Sequence, residues 1–134
     1  QLAFRASMTG QLVISTMHAR SGCEALLRLI DMQVASQHLL SGLRLLACQR
    51  LVRRRCQCES GYERCDFSRF WGRMLLGELL PELSGELSRA VLMGRDLRQI
   101  EQAAEEQGFR TLAAAANHAI AQGQTTAEEI AQML

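Results

Sequence analysis

The stretch MTGQLVISTMHA, residues 8–19, decides how the fold of this chain is interpreted. Its centre, QLVIST at 11–16, is short, apolar and rich in β-branched residues, a pattern typical of a largely buried strand. In open α/β sheets, ligands collect beyond the carboxyl ends of the strands, where loop amides and helix N-termini meet. The stretch therefore predicts that Ser15, Thr16 and His18 lie at a ligand-facing edge of a sheet.

His18 has two interpretations from its position alone. An imidazole at a sheet edge can offer a hydrogen bond or a positive charge to an anionic group such as a phosphate. Position alone favours a simpler role, in which His18 closes a loop by bonding a backbone carbonyl, because matches to short motifs are often accidental.

Helical patterns follow the predicted strand. Ser21 and Glu24 have the spacing of a capping box, and they predict a helix through EALLRLIDM at 24–32. Apolar residues at helical intervals predict a second helix at 35–47. QRLVRRR at 49–55 fits either a strand or the frayed basic end of that helix. A strand followed by helices and then a further strand is the order of an α/β sheet.

The second half of the chain carries mostly helical signals. Helix-capping residues stand at Asp96, Thr111 and Thr126, and Gly108 and Gly123 stand where the first two of these helices end. We therefore expect a small bundle of short antiparallel helices. The chain as a whole is predicted to be mostly helical with few strands.

Composition limits the size and the chemistry of the fold. The 134 residues include 48% hydrophobic residues, enough to bury a core in one compact domain or two small lobes. Lysine is absent, so the chain cannot supply the lysine of a Walker A phosphate loop. Up to residue 73 there are 11 arginines against 5 acidic residues, and from residue 74 onward 4 arginines against 9 acidic residues. The two halves therefore differ in electrostatic character.

Targeting and membrane signals are absent from the sequence. No apolar run reaches the roughly 18 residues that a bilayer span requires, and no signal-peptide pattern is present. We therefore expect a cytoplasmic location. The chain begins with Gln1 and its first ten residues resemble the middle of an element, which suggests a fragment of a longer protein.

Three of the five cysteines, Cys56, Cys58 and Cys65, cluster in a polar stretch. In a reducing compartment such a cluster favours metal binding over a disulfide. Cys23 and Cys48 instead lie in apolar surroundings, where a free thiol behaves as a small hydrophobe.

Five segments resemble motifs of one protein family. AFRASMTGQLVISTMHA at 3–19 resembles the histidine box of the secretion and pilus-assembly ATPases, the type II secretion and type IV pilus motor family. The usual form of that box is Ala-Ala-x-x-Thr-Gly-His-Leu-Val-x-Ser-Thr-Leu-His-Thr. Four further segments follow in the order of the family's motifs: RLIDMQV, ACQRLVRRRC, CDFSRFWGR and GFRTLAAAANHAIAQGQTTAEEI. The resemblance covers essentially the whole chain.

The resemblance assigns roles to residues of the box. His18 matches its second histidine, which in the family faces the terminal phosphate of the nucleotide and supports or senses hydrolysis. Gln11 replaces the first histidine, and it keeps hydrogen-bonding capacity without a titratable charge. Four framework residues are expected to position the nucleotide rather than to act as catalysts: Thr9, Gly10, Ser15 and Thr16.

The cysteine cluster also has a counterpart in the family. Many members carry two Cys-x-x-Cys pairs that hold a structural zinc through four thiolates. Here the first pair is shortened to Cys56-Gln57-Cys58, and only Cys65 remains of the second. Three thiolates make an incomplete site, so the sequence favours a degenerate loop without metal. Zinc with water or a neighbouring group as the fourth ligand is the alternative.

The resemblance implies the C-terminal part of a hexameric P-loop ATPase that drives pilus or pseudopilus assembly, or protein secretion, at the inner membrane. The implied divisions are the end of the nucleotide-binding core at 1–55, the degenerate zinc loop at 56–72 and a helical subdomain at 73–134. ATP and Mg²⁺ serve the intact protein, while the family's phosphate loop and acidic boxes precede the histidine box and fall outside this chain. The chain alone is therefore expected to be inactive. Its implied partners are further copies of itself and an inner-membrane platform protein, with a cytoplasmic location peripheral to that membrane.

Two alternatives from other functional classes stay open. A phosphate-contacting patch of a nucleic-acid-binding module is one interpretation of the basic run Arg50, Arg53, Arg54 and Arg55. No recognisable nucleic-acid module surrounds this run, so a solvated face or an intersubunit contact is favoured. We accordingly expect no direct nucleic-acid partner. The second alternative is a scaffold or oligomerisation domain without catalysis.

Overall fold

The computed structural model describes residues 2–58, 65, 68–80 and 82–132. These residues form seven helices and one two-stranded antiparallel sheet. The elements in chain order are α1 (Leu2–Met8), α2 (Gly22–Asp31), α3 (Ser36–Gly42), β1 (Leu46–Arg55), β2 (Phe70–Leu80), α4 (Gly85–Leu92), α5 (Leu97–Glu106), α6 (Leu112–Ala121) and α7 (Ala127–Ala131). The fold is thus a mixed one with more helix than strand. None of the described helices has the length and hydrophobicity that crossing a membrane requires.

The predicted helix starts are confirmed by their capping hydrogen bonds. Ser21 Oγ accepts the N–H of Glu24 at 3.1 Å at the start of α2. At α5, Asp96 Oδ1 accepts the N–H of Gln99 at 2.9 Å, and Gln99 Oε1 accepts the N–H of Asp96 at 3.4 Å. At the start of α6, Thr111 Oγ1 accepts the N–H of Ala114 at 3.2 Å. These bonds satisfy N–H groups that have no partner within their own helix.

The predicted strand at 11–16 is wrong. Residues 11–19 form neither helix nor strand, and Leu12 and Ile14 are 89% and 84% exposed. A strand exists only where a neighbouring strand accepts its backbone hydrogen bonds. Within the described part of the chain, β1 pairs with β2 and no strand pairs with this segment.

The second predicted helix is shorter than expected. It ends at Gly42 instead of residue 47, and Leu43 already has an extended backbone. The apolar spacing that continued the helical pattern belongs to β1, which begins at Leu46. The strand interpretation of residues 49–55 is therefore confirmed.

The chain divides into two compact units, and the division falls within both strands. Unit 1 comprises Gln1–Cys48 and Leu79–Arg110. Its core packs α1 against α3, α3 against α4, and α5 against both α2 and α4. The largest fully buried side chains at its centre are Cys23, Leu26, Leu39, Leu80, Leu87, Val91 and Ile100.

Unit 2 comprises Gln49–Glu78 and Thr111–Leu134. Its smaller core joins one face of β1 and β2 to α6 and α7, through Val52, Leu76, Leu112, Ala116, Ala119 and Ile130. Each unit takes residues from both sides of the cysteine-bearing segment. The sequence-based divisions at residues 55 and 72 stay predictions, and part of the segment between them lies outside the described residues.

Candidate functional site

Thr9 and Gly10 close the C-terminus of α1. The N–H of Gly10 donates to the carbonyl of Ser7 at 3.1 Å, and the N–H of Gln11 donates to the carbonyl of Ala6 at 3.2 Å. This pair of bonds is the Schellman arrangement, which requires a left-handed residue after the helix. Gly10 supplies it with a φ of +89°, and Thr9 Oγ1 donates to the Ala6 carbonyl at 2.8 Å. The two residues therefore turn the chain from α1 into the next segment.

The segment at 11–19 carries the other predicted nucleotide-side residues, Ser15, Thr16 and His18. All three are exposed, and none lies in a helix or a strand. Their predicted position at a sheet edge depended on the strand at 11–16, so that position is not found in the part of the chain that the structure describes. Their roles toward a nucleotide stay a prediction.

The backbone around His18 is held at three points. Arg28 Nη1 of α2 donates to the His18 carbonyl. The N–H of Arg20 donates to Glu24 Oε2 at 2.7 Å, and the Arg20 carbonyl accepts a bond from Cys48 Sγ at 3.3 Å. The imidazole itself is exposed. The arrangement therefore holds the chain in place and leaves the ring accessible to a ligand.

The three clustered cysteines converge in unit 2. The sulfur of Cys56 lies 2.8 Å from that of Cys58, which lies 3.5 Å from that of Cys65. All three sulfurs are within 4.8 Å of one another, and no disulfide joins them. Thiolates bound to one tetrahedral zinc ion at 2.3 Å lie about 3.8 Å apart. The Cys58–Cys65 separation is close to that spacing and the Cys56–Cys58 separation is about 1 Å shorter, so the three side chains converge on one point, and Cys56 and Cys58 would have to move apart to bind one zinc ion.

Arg53 and Glu129 form a connected ion pair in unit 2. Arg53 Nε donates to Glu129 Oε2 at 2.7 Å, and Arg53 Nη2 lies 2.6 Å from the same oxygen. The hydrogen bond from Arg53 lowers the pKa of Glu129 below its ordinary value and raises the pKa of Arg53. The Glu129 side chain is only 7% exposed, so this pairing keeps a buried acid ionised. Arg53 also stacks on Phe70, with its guanidinium carbon 4.4 Å from the ring centroid.

Sequence reasoning missed the roles of Arg28 and Glu129. Glu129 has the spacing of a capping-box residue, and its N–H does donate to Thr126 Oγ1 at 3.3 Å. Its carboxylate, however, turns to Arg53, far away in the chain. Neither this contact nor the bond from Arg28 to the His18 carbonyl has a local sequence signal, because both partners are brought together by tertiary packing.

Comparison with known proteins gives one consistent family. The sequence model of the family described as Type II/IV secretion system protein matches residues 1–132. The chain is 34% identical to a protein transport protein HofB homolog of Escherichia coli K12 over 100% of its own length. It is 35% identical to the type II secretion system protein HxcR of Pseudomonas aeruginosa and 29% identical to the type IV pilus assembly ATPase PilB of Thermus thermophilus, in each case over 97% of its length.

These relatives are all much longer than the chain. The matched regions make up 34%, 30% and 18% of the three proteins, respectively. The similarity therefore covers nearly all of this chain and at most about a third of each relative.

Proposed function

The chain belongs to the family of type II/IV secretion system proteins, and from that premise we propose that the intact protein hydrolyses ATP to drive pilus or pseudopilus assembly, or protein secretion. The observation that carries the proposal is the family match over residues 1–132. Relatives named as a type II secretion protein and as a type IV pilus assembly ATPase support it.

Both this chain and other parts of the intact protein contribute to the proposed ATPase. In this proposal residues 1–55 complete a P-loop nucleotide-binding core, residues 56–72 carry the three clustered cysteines and the start of β2, and residues 73–134 contribute the rest of β2 and a helical subdomain. A phosphate loop and acidic residues outside this chain hold ATP and Mg²⁺, because phosphoryl transfer depends on such a cradle and on metal-binding carboxylates. The intact protein works as a hexamer at the cytoplasmic side of the inner membrane, against a platform protein of the machine.

His18 is the residue of this chain that we propose acts on the nucleotide. Its exposed imidazole can donate a hydrogen bond to an oxygen of the terminal phosphate, where negative charge must be stabilised during transfer. The bond from Arg28 to the His18 carbonyl supports this role, because a donor is effective only when its position is fixed. Thr9, Gly10, Ser15 and Thr16 position this segment without taking part in bond breaking.

ATP hydrolysis by the full-length protein tests the proposal. His18→Ala should lower kcat by about 100-fold or more, since the loss of one preorganised donor costs about 10²–10³ in kcat in other enzymes. Because the His18 side chain is exposed, this substitution should change the free energy of unfolding of the protein by less than about 0.5 kcal/mol. His118→Ala is the matched control, since His118 is an exposed histidine of α6 whose ring lies 2.8 Å from the side-chain nitrogen of Gln122.

Two outcomes would contradict the proposal at different levels. Full activity of His18→Ala would remove His18 from the chemistry and leave the ATPase assignment intact. No ATP hydrolysis by the wild-type full-length protein, in the presence of Mg²⁺, would overturn the assignment itself and favour the non-catalytic scaffold.

We further propose that the cysteine cluster of unit 2 holds a zinc ion through three thiolates. The convergence of Cys56, Cys58 and Cys65 within 4.8 Å supports it, because thiolates are preferred zinc ligands and one ion can bind all three only if they lie close together. A zinc ion bound there would supply a structural cross-link. It would tie the residues after β1 to the turn that precedes β2.

A further inference from the structure

An open hollow of about 320 Å³ lies in unit 2, beside the ion pair of Arg53 and Glu129. Its wall is formed by the end of β1, the turn that leads into β2, and α7. Charged side chains dominate this wall: Arg53, Arg55, Arg69, Glu128 and Glu129. Five of the nine residues that line the hollow are therefore charged.

Both acidic residues of the wall already have hydrogen-bonding partners within the protein. Glu129 is paired with Arg53. Glu128 accepts hydrogen bonds from its own backbone N–H and from the side chain of Thr126, and these bonds lower its pKa. Glu128 is thereby held at the first turn of α7, where it stays ionised at neutral pH.

The other two cations of the wall are Arg55 and Arg69. No ion pair joins the guanidinium of Arg55 or Arg69 to an acid within residues 2–58, 65, 68–80 and 82–132. Their backbones are nevertheless fixed. The N–H of Arg55 donates to the Gln124 carbonyl at 2.7 Å, and the Arg69 carbonyl accepts the N–H of Cys56 at 2.8 Å. Two positively charged residues therefore line the same hollow, each from a backbone position that a hydrogen bond holds.

Arg69 stands in a backbone conformation that arginine rarely adopts. Its φ is +62°, in the left-handed region where glycine costs nothing and a residue with a Cβ costs about 1 kcal/mol or more. The strained conformation is maintained by Ser68, whose hydroxyl donates to the Cys65 carbonyl and accepts the N–H of Phe70 at 3.2 Å. Arginine at this position puts a guanidinium at the hollow, whereas glycine, which this backbone conformation favours, would put no charge there.

We propose that this hollow binds a phosphate dianion between Arg55 and Arg69. The two guanidinium groups balance the two negative charges of the phosphate dianion. A carboxylate carries a single negative charge and would leave one guanidinium without a counter-charge. Each planar fork can also donate two parallel hydrogen bonds to phosphate oxygens. The phosphate can be free or can belong to a small phosphomonoester, since both present the same group.

Titration of the 134-residue chain with inorganic phosphate at low ionic strength, followed by calorimetry or by amide chemical shifts, tests the proposal. Saturable binding is expected with wild type, and acetate at matched ionic strength should give none. Arg69→Gly should weaken binding by about tenfold or more. This variant should fold at least as well as wild type, because glycine relieves the positive φ. Its effect therefore cannot be attributed to unfolding.

Arg54→Gln is the matched control, because it removes one positive charge from the same strand at a residue that does not line the hollow. It should bind phosphate as wild type does, while Glu128→Gln should bind more tightly, since a negative charge leaves the wall. Parallel titrations with O-phosphoserine and AMP show which source of the group binds better. Absence of saturable phosphate binding, or equal weakening in Arg54→Gln and Arg69→Gly, would overturn the proposal.

Discussion

Glu129 closes the outer edge of β1 at Arg53, which lies 76 residues earlier in the chain. Its Oε1 accepts the backbone N–H of Arg53 at 3.0 Å, and the hydroxyl of Thr125 donates to the Arg53 carbonyl at 3.0 Å. Two residues further along β1, the N–H of Arg55 bonds the carbonyl of Gln124. The turn into α7 thus occupies backbone groups that would otherwise be open to pairing with a foreign strand.

The first prediction concerns this pair. Glu129→Gln should lower the free energy of unfolding of unit 2 by about 1–2 kcal/mol, because hydrogen bonds to charged groups contribute about 1.5–3 kcal/mol and half of the Arg53 side chain is exposed to solvent screening. The lowered pKa of Glu129 gives this contribution a pH dependence. It is complete above the ordinary value of 4.5 and disappears as the pH falls from there through the lowered folded value.

Urea unfolding at neutral pH and at about pH 3 measures both effects, with the single tryptophan, Trp71, as a fluorescent probe in unit 2. The gap in stability between wild type and Glu129→Gln should be present at neutral pH and should shrink in acid. Glu105→Gln, at an exposed acid of α5, should leave the curve unchanged. An equal loss at both pH values would show that the charge of Glu129 is irrelevant.

The second prediction concerns the core of unit 1. Leu26 is 0% exposed and lies at the centre of the cluster formed by the helices of that unit. Leu26→Ala should cost about 2–5 kcal/mol, because it removes buried methyl groups and leaves a cavity that the neighbours fill only in part. Thermal unfolding followed by circular dichroism measures the loss. Leu92→Ala, at a leucine that is 54% exposed, should cost much less, and similar losses in both would contradict the described core.

Local signals in the sequence predicted local structure well. The capping residues Ser21, Asp96 and Thr111 each accept the hydrogen bond that their spacing predicted. Such a bond needs only residues three positions apart, so a short window contains all the information. The predictions of a strand at 11–16 and of a helix that reaches residue 47 were wrong. Each was based on a pattern of apolar residues, and the structure that such a pattern forms depends on the distant residues that bury it.

The candidate site follows the same rule. The box residues Thr9 and Gly10 were expected to act as framework, and their helix-ending geometry is a local property. The sequence places Cys58 and Cys65 in one short stretch, so their clustering could be predicted. The distance between their sulfurs could not. The contacts of Arg28 with His18 and of Glu129 with Arg53 were unpredictable, because no spacing rule joins residues from separate elements.

The third prediction concerns the capping box of α5. Asp96→Ala should destabilise unit 1 by about 1 kcal/mol, because the N–H of Gln99 loses its acceptor at the helix start. Asp96→Ser keeps an acceptor oxygen at the same position and should retain most of the stability. Thermal unfolding of the two variants separates them. Equal losses would mean that the negative charge near the helix N-terminus matters more than the hydrogen bond.

The last prediction concerns the cysteine cluster and tests the proposed zinc. Chain purified under reducing conditions and supplied with zinc should retain about one ion after dialysis, because three thiolates converge within 4.8 Å. Cys58→Ser should abolish retention, since Cys58 contacts both other sulfurs and its loss leaves two ligands. Cys48→Ser is the control, as Cys48 lies in unit 1 and its thiol bonds the Arg20 carbonyl, a bond that a hydroxyl can replace. Acid should release the ion, because each ligand must be deprotonated to bind. A chain that retains no zinc, with all three thiols titratable, would leave the cluster as the degenerate loop that its shortened spacing predicts.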